Sequence, residues 1–254
     1  MDLFLKLAFL FEVGSMFGWG IEVLYRRFFS QKHWVNPGYL TGPCLPLYGM
    51  CLCIMYLIAD TEQYIRIENT VLKKLTLFVI MALSITAVEY TVGMVCLKVT
   101  KVRLWDYSNH RGNVNGVICP LYSLYWAILG AVYYFFVDPY VLAAFDWFSH
   151  NLAFSFCVGF FYGIFVIDLA YSAQIMKKIQ RFAAESRIVI RLEELREDIY
   201  SAIKQYGKPH FLLSIPSGTQ LKEMLEKYRD DHFSAEKLKE RLHIITEKDD
   251  KNVT

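Results

Sequence analysis

The sequence predicts an all-α fold, a polytopic integral membrane bundle of about five transmembrane helices with a helical cytoplasmic C-terminal tail. Of the 254 residues, 55% are hydrophobic and 16% aromatic, and the mean hydropathy is +0.27. Charge is unevenly divided, because residues 1–173 carry 22 charged side chains and residues 174–254 carry 30. We therefore expect a transmembrane domain over 1–173 and a charged, water-exposed helical tail over 174–254. The net charge of +2 is too small to indicate a nucleic-acid partner.

Five apolar segments predict the spans. A bilayer core about 30 Å thick requires about 20 apolar residues in a helix. The second segment is short and begins beside Pro43 and Pro46, so it is either a tilted span or partly re-entrant. Glu12 interrupts the first segment, which argues against a cleavable signal, so this span is expected to remain in the protein. The segments cover residues 3–24, 44–59, 71–97, 117–137 and 152–173.

The distribution of Lys and Arg predicts the orientation in the lipid bilayer. Positive residues in short loops favour the cytoplasmic side. If all five segments cross, the loops after the first and third spans share a side with the start of the tail, and together they carry ten Lys and Arg. The other two loops carry three, and Lys6 lies near the N-terminus. We expect the N-terminus outside the cell membrane and the tail in the cytoplasm.

Four acidic residues fall within the apolar segments. An ionised side chain in hydrocarbon costs about 3 kcal/mol or more, so such a residue is a functional-site hypothesis. The predicted orientation places Glu22, Glu89 and Asp168 in the cytoplasmic half and Glu12 near the midplane. We interpret Asp168 as structural, paired with a tyrosine hydroxyl or with Lys177.

Glu22 and Glu89 can each be interpreted in two ways, as a structural residue or as part of a site. Glu22 stands four residues before Arg26, a spacing at which helical side chains pair, so it is either an interfacial ion pair or part of a site. Glu89 either makes a buried structural hydrogen bond or belongs to the same site. Arg103 is its expected partner, because a guanidinium can hold a carboxylate through two hydrogen bonds.

The connection at residues 35–49 contains three prolines and three glycines. Irregular backbone at membrane depth is tolerated only where it is buried in protein or lines a cavity. This connection is therefore either a tight surface turn or a re-entrant segment that lines a site, with Asn36 as its candidate polar residue.

The connection at residues 103–116 is rich in hydrogen-bonding and aromatic side chains. Trp105 could be an interfacial anchor and Asp106 a turn cap. Together with Asn115, and with the acids predicted on the same side, they are more simply explained as parts of one site.

Six sequence blocks carry a family resemblance. Taken together and in their order along the chain, the blocks resemble the bacterial multi-pass family named putative ABC-transporter type IV, or CmpB-like permeases, over about residues 10–140. Asp168 also resembles an acid often found in that family's last span. The family usually has Arg where this chain has Pro37, so no cationic role is carried over to that position. The blocks are residues 18–26 (GWGIEVLYR), 36–43 (NPGYLTGP), 46–49 (PLYG), 88–90 (VEY), 104–108 (LWDYS) and 115–116 (NG).

The resemblance implies a transporter permease subunit. We expect a cytoplasm-facing polar cavity among the first, third and fifth spans. In it the acids would bind a cation, a proton or a donor-rich solute, and the arginines would orient the acids or an anionic group. No Walker A pattern occurs in the chain, so an ATPase partner would be a separate subunit. The candidate binding residues are Glu22, Arg26, Asn36, Glu89, Arg103, Trp105, Asp106, Asn115 and Asp168.

Two alternatives to a permease remain open. One is a membrane-embedded enzyme acting on a lipid-linked substrate, although none of the common hydrolase, protease or kinase motifs appears. The other is a membrane scaffold that presents the tail. We expect no cofactor and no metal, because none of the six cysteines forms a CxxC pair and they lie in or beside apolar runs, as small buried hydrophobes do.

The tail has a helical pattern. Apolar residues between 174 and 206 recur at three- and four-residue steps, which predicts one amphipathic helix continuing from the fifth span. Two shorter helices are expected at about 218–231 and 235–246. The long helix either lies on the domain or the membrane, or it mediates homo- or hetero-oligomerisation, which its mixed charges favour.

Overall fold

A computed structural model describes residues 3–149, 152–206 and 219–233. The protein is 78% helical with almost no sheet, which confirms the all-α prediction. Short π-helical turns extend α1 at Arg26–Ser30 and α4 at Tyr133–Val137, and a 3-10 turn follows α2 at Thr61–Tyr64. The helices are α1 Leu3–Tyr25, α2 Pro46–Asp60, α3 Thr70–Thr100, α4 Pro120–Val132, α5 Asp138–Ser149, α6 Leu152–Ser186, α7 Leu192–Tyr206 and α8 Thr219–Phe233. Two short strands, β1 (Val102–Arg103) and β2 (Ile190–Arg191), pair in parallel.

Within the described residues, four helices are long and apolar enough to cross a membrane: Leu3–Ser30, Thr70–Thr100, Pro120–Val137 and Phe156–Ser186. The predicted second span forms α2, which has 15 residues. An α-helix rises about 1.5 Å and a 3-10 helix about 2.0 Å per residue, so α2 and the turn after it together extend about 30 Å. That length matches the hydrocarbon thickness.

The ends of the helices fall into two sets. At one end, Arg26 after α1 contacts Glu193 of α7, and β1 after α3 pairs with β2. At the other end, Lys6 near the start of α1 donates to the hydroxyl of Tyr56 near the end of α2, at 3.4 Å. Successive segments α1, α2, α3, α4 and α6 therefore run in alternating directions, and α2 connects the same two ends as the long helices.

Small residues allow α1 and α2 to approach closely, as is common between membrane helices. Gly14 and Gly18 of α1 are buried, and a Cβ atom at Gly14 would lie 3.0 Å from the Cα of Gly49 in α2. A Cβ atom at Gly18 would lie only 2.2 Å from the ring of Tyr48. The absence of a side chain at Gly18 thus makes room for Tyr48 beside α1.

Besides a small apolar cluster around Ala8, Phe145 and Val158, the described residues form two large apolar cores. One joins α1, α2, α3 and α4 around Leu10, Met55 and Ile85. The other joins the C-terminal part of α6 to β1, β2, α7 and α8 around Ile179, Leu195 and Tyr228. The first part of the tail therefore folds back onto the membrane domain.

The prediction of one helix from 174 to 206 is wrong, because α6 ends at Ser186 and α7 begins at Leu192. Arg187 has a left-handed φ of 55°, and the amide of Ile188 donates to the carbonyl of Ala183 at 3.0 Å. These are features of a Schellman cap, which ends a helix and reverses the chain. Helix α8 matches the helix predicted at 218–231, whereas the one predicted at 235–246 lies outside the described residues.

Candidate functional site

Glu22 lies near the end of α1 and is held by two neighbours. Its carboxylate accepts hydrogen bonds from Arg26 Nε at 3.0 Å and from the Tyr48 hydroxyl at 2.9 Å. Arg26 Nη2 also contacts Glu193 of α7 at 2.7 Å. The helical pair expected from the sequence is therefore present, and it continues into an ion-pair chain that joins α1 to the tail.

Glu89 lies in the middle of α3 and is only 2% exposed. The hydroxyl of Tyr107, from the connection after β1, donates to its Oε1 at 3.2 Å. The Trp126 side chain of α4 lies beside the same carboxyl and interacts with it. Its Oε2 is buried and has no hydrogen-bond partner in the described part of the chain. Glu89 is thus a buried acid with unused acceptor capacity.

Arg103 is not the partner of Glu89 that the sequence suggested. Its Nη1 donates to the backbone carbonyl of Asn115 at 3.0 Å and lies 3.5 Å from Asp106 Oδ1. Asp106 in turn accepts from the amide of Ser108 at 2.9 Å and pairs with Arg191 of β2 at 2.8 Å. Arg103 and Asp106 therefore fix the connection and attach it to the tail.

Trp105 and Asn115 also hold this connection in place. The Trp105 indole donates to the carbonyl of Val117 at 2.8 Å, and a Cβ atom at Gly93 of α3 would lie 3.1 Å from its ring. Asn115 has a left-handed φ of 55°, and its amide donates to the Tyr90 hydroxyl at 3.1 Å. Both side chains anchor the connection to α3.

Asn36 is buried in the connection before α2. Its Oδ1 accepts from the Trp19 indole at 2.6 Å, and its Nδ2 donates to the carbonyls of Leu40 at 3.3 Å and Thr41 at 2.5 Å. One amide thus satisfies several polar groups of an irregular backbone that is buried in protein.

Asp168 of α6 holds the same connection from the other side. Its Oδ1 accepts from the Thr41 amide at 3.2 Å and its Oδ2 from the Gly42 amide at 3.0 Å. Ser172 donates to Oδ1 at 3.3 Å. Asp168 therefore pairs with backbone amides and a serine, and not with the tyrosine or with Lys177 that the sequence suggested.

Aromatic residues that the sequence did not single out surround the two glutamates. The rings of Tyr48 and Trp126 have centroids 4.6 Å apart, and those of Tyr107 and Tyr122 are stacked at 4.3 Å with 9° between their planes. We call Glu22, Glu89, Tyr48, Tyr107, Tyr122 and Trp126 the acid–aromatic cluster. Tyr48 and Tyr107 stand in two of the sequence blocks, which was the available signal. Tyr122 and Trp126 are four residues apart and so share a face of α4.

The electrostatics of the cluster favour Tyr107 as a hydrogen-bond donor. Burial raises the pKa of Tyr107, and the carboxylates of Glu89 and Glu22 raise it further. A neutral phenol keeps its proton and can donate a hydrogen bond to Glu89. The same interactions place both carboxylates within electrostatic range of one phenol, so the two acids share an environment.

Helix α7 contributes a buried arginine that the amphipathic pattern did not reveal. Arg196 is 8% exposed and donates to the backbone carbonyl of Asn36, while its Nε has no hydrogen-bond partner among the residues described. The pKa of Arg196 is lowered to about 10. Burial is the largest cause, the charge of Arg26 also lowers the pKa, and the charge of Glu193 acts in the opposite direction. Close by, His33 stacks on Tyr200 at 4.0 Å.

No group of three or more His, Cys, Asp or Glu side chains that could hold a metal ion occurs in the described ranges. The six cysteines, Cys44, Cys51, Cys53, Cys96, Cys119 and Cys157, are free thiols. The chemistry available at the acid–aromatic cluster is that of carboxylates, phenols and an indole, with Arg26 paired to Glu22 at its edge.

A family model described as "Putative ABC-transporter type IV" matches residues 9–173. The chain belongs to this family. The match runs from within α1 into α6, so it includes both connections and every residue of the acid–aromatic cluster. Membership and the apolar helices identify a membrane protein that is a transporter component. No curated protein and no solved structure shows significant similarity to the chain.

Proposed function

We propose that the protein is the permease subunit of an ABC-type transporter and that the acid–aromatic cluster is its cytoplasm-facing solute site. The observation that carries the proposal is Glu89, a carboxyl buried inside a membrane-spanning helix with an acceptor oxygen left unsatisfied. An acid at this depth is expensive to keep, so an idle oxygen calls for an explanation. Glu12 of α1 also has a buried oxygen without a partner, but of the two acids it is Glu89 that stands in a family sequence block and interacts with a second carboxylate, that of Glu22.

The distribution of charge supports the proposed orientation. The segment between α1 and α2 and the segment from the last turn of α3 to the start of α4 both touch the tail, and together with the C-terminal part of α6 they contain the ten Lys and Arg counted above. Positive residues in short loops favour the cytoplasm. In this orientation the ion-pair chain through Arg26 and Glu193 lies on the cytoplasmic side, the side on which an ATPase would bind.

An ATPase would be supplied by a separate chain, since no Walker A pattern occurs here. Oligomerisation through the tail remains part of the proposal, but the surface it can use is limited. The apolar residues Leu192, Leu195 and Ile199 of α7 are already buried within the chain. A partner would therefore bind the outer, charged face of α7.

Co-purification tests the transporter assignment. The full-length, affinity-tagged chain is extracted from native membranes in a mild detergent, and the proteins bound to it are identified by mass spectrometry. We expect a Walker A ATPase in a fixed ratio to the chain, absent from an unrelated multi-pass protein carrying the same tag. Recovery of the folded chain without any ATPase would contradict the proposal.

A substitution tests the role of the cluster. Glu89→Gln keeps the shape of the side chain but removes its charge, so we expect normal insertion and ATPase association with loss of transport. Glu12→Gln is the matched control, because it neutralises another acid of the membrane domain outside the cluster. A bound lipid at Glu89 in a purified sample would instead favour a lipid-modifying enzyme.

A further inference from the structure

The charges around the cluster leave one acid without a counterion. Glu22 is paired with Arg26, and Glu193 contacts Arg26 and attracts Arg196. These four residues balance as two acids and two arginines. Glu89 contacts a phenol and an indole but no cationic side chain in the described residues. A ligand that neutralises the cluster therefore brings positive charge to Glu89.

The aromatic rings indicate what kind of cation fits. Aromatic faces carry negative potential and attract cations, most strongly at tryptophan. Trp126 lies between the two acids. Its ring packs on Tyr48, whose hydroxyl donates a hydrogen bond to Glu22, and its side chain also interacts with Glu89. Tyr107 bonds Glu89 and stacks on Tyr122. The Trp126 ring of α4 and the Tyr107 ring of the connection after β1 thus lie beside the unpaired acid, and Tyr48 and Tyr122 pack against these two rings.

Metal ions and anions fit this set of groups poorly. Calcium takes six to eight oxygen ligands, and magnesium keeps several waters in a tight octahedron. The cluster has two carboxylates, and no group of three or more His, Cys, Asp or Glu side chains that could hold a metal ion occurs in the described residues, so it offers too few ligands to replace a hydration shell. An anion would be repelled by Glu89. An alkylated ammonium group is weakly hydrated and can use the carboxylate and the ring faces together.

We infer that the acid–aromatic cluster binds an organic cation, whose ammonium group lies against Glu89 while its alkyl groups pack on Trp126, Tyr107 and the neighbouring rings. This inference rests on the proposed function, because it names the class of solute for the same site. It differs from a proton-binding role, in which Glu89 would be neutralised and the rings would have no ligand.

Binding measurements on the purified full-length chain in lipid nanodiscs test the inference. The probes are tetramethylammonium and choline, compared with 3,3-dimethylbutan-1-ol, the uncharged carbon isostere of choline. Isothermal titration calorimetry gives the affinity, and the thermal unfolding midpoint gives an independent reading. We expect both cations to bind and to raise the midpoint, with the isostere at least about tenfold weaker because it lacks the cation–π attraction.

Variants locate the binding site. Glu89→Gln and Trp126→Leu should each weaken choline binding by about tenfold or more. Tyr107→Phe keeps the ring and loses the hydrogen bond, so its loss should be smaller. Glu12→Gln should bind as the unchanged protein does. Size-exclusion profiles show which variants fold, and if Glu89→Gln fails to fold, Trp126→Leu and Tyr107→Phe decide the question.

The outcomes separate the two proposals. Equal binding of choline and its isostere, binding of simple metal ions alone, or no binding of either ammonium probe overturns the organic-cation inference. If an ATPase still co-purifies in that case, the permease assignment stands. Selective choline binding that depends on Glu89, found without any ATPase partner, supports the inference and contradicts the permease assignment.

Discussion

The two glutamates at the centre of the site have different surroundings, and this separates their roles. Glu22 has both oxygens engaged, by Arg26 and by Tyr48, and through Arg26 it is linked to the tail. Glu89 has one oxygen engaged and one unpartnered. Glu22 therefore attaches structural elements to one another, and Glu89 is the acid that we propose contacts the ligand.

The position of Tyr48 depends on a glycine of α1, which gives a first prediction. Gly18→Ala places a Cβ atom 2.2 Å from the Tyr48 ring, close to the root of that side chain, so α2 must shift. Overpacking of this kind costs about 1–3 kcal/mol. We expect a lower thermal unfolding midpoint and weaker ligand binding at the cluster.

Gly20→Ala is the control for this prediction, because a Cβ atom there meets nothing within 4 Å and the helix and the substitution are the same. It should leave the unfolding midpoint nearly unchanged. Equal midpoints for the two variants would show that α1 and α2 do not pack as described.

At the residue scale, local spacing predicted some contacts and long-range packing determined the others. The pair of Glu22 and Arg26 follows from four-residue helical spacing, so it was readable from the sequence. The partner of Arg103 was not, because a long side chain can turn in several directions and here it folds onto its own connection. Trp126 and Arg196 reach the site only through tertiary packing.

At the element scale, α7 is attached to the membrane domain through Glu193, which gives a second prediction. Glu193→Gln removes the charge that pairs Arg26 with α7 and removes the attraction on Arg196. Because Glu193 is 34% exposed, we expect a loss of only about 1–2 kcal/mol. Hydrogen–deuterium exchange should show less protection of α7 amides and unchanged protection in α3.

Arg229→Gln serves as the control for the attachment of α7. It removes an ion pair with Asp230 on α8, in which both side chains are exposed. Exchange in α7 should then remain as in the unchanged protein. If Glu193→Gln has no more effect than Arg229→Gln, α7 is held by its apolar contacts alone.

The connection before α2 depends on α6, which gives a third prediction. In Asp168→Asn one acceptor oxygen becomes an NH2 group that faces a backbone N–H, so either the Gly42 amide loses its acceptor or the Thr41 amide keeps only the Ser172 hydroxyl, at 3.0 Å. A buried donor without an acceptor costs about 1–3 kcal/mol. Exchange at residues 40–45 should accelerate. Asp60→Asn, an exposed acid at the end of α2, should leave these amides unchanged.

Among the elements, the apolar spans were predicted closely because bilayer thickness sets their length. The break between α6 and α7 was not predicted. A helix end in the left-handed conformation is usually marked by glycine, and here Arg187 occupies that position. The apolar repeat continues through the break, since the same residues pack α7 back against α6.

For the whole molecule, the central question of topology is whether α2 crosses the membrane. Its 15 residues are too few for a typical span, but its ends lie with the ends of the long helices. If it crosses, the N-terminus and the tail lie on opposite sides. If it does not, only the four long helices cross and the two lie on the same side.

Cysteine labelling decides between these topologies and gives the last prediction. Ser30 precedes α2 in the chain and Glu68 follows it, and both are exposed, so each can be replaced by cysteine. Asn109 is also exposed, and Asn109→Cys should lie on the same side of the membrane as Ser30→Cys. With the exposed Cys157 replaced by alanine, a membrane-impermeant maleimide should label Glu68→Cys in intact cells. The other two sites should react only after permeabilisation, because positive loops favour the cytoplasm.

Labelling of Ser30→Cys and Glu68→Cys from the same side would exclude a crossing by α2. The reverse pattern, with all three sites exchanged, would keep the five crossings and place the acid–aromatic cluster toward the outside, where an ATPase could not reach the ion-pair chain.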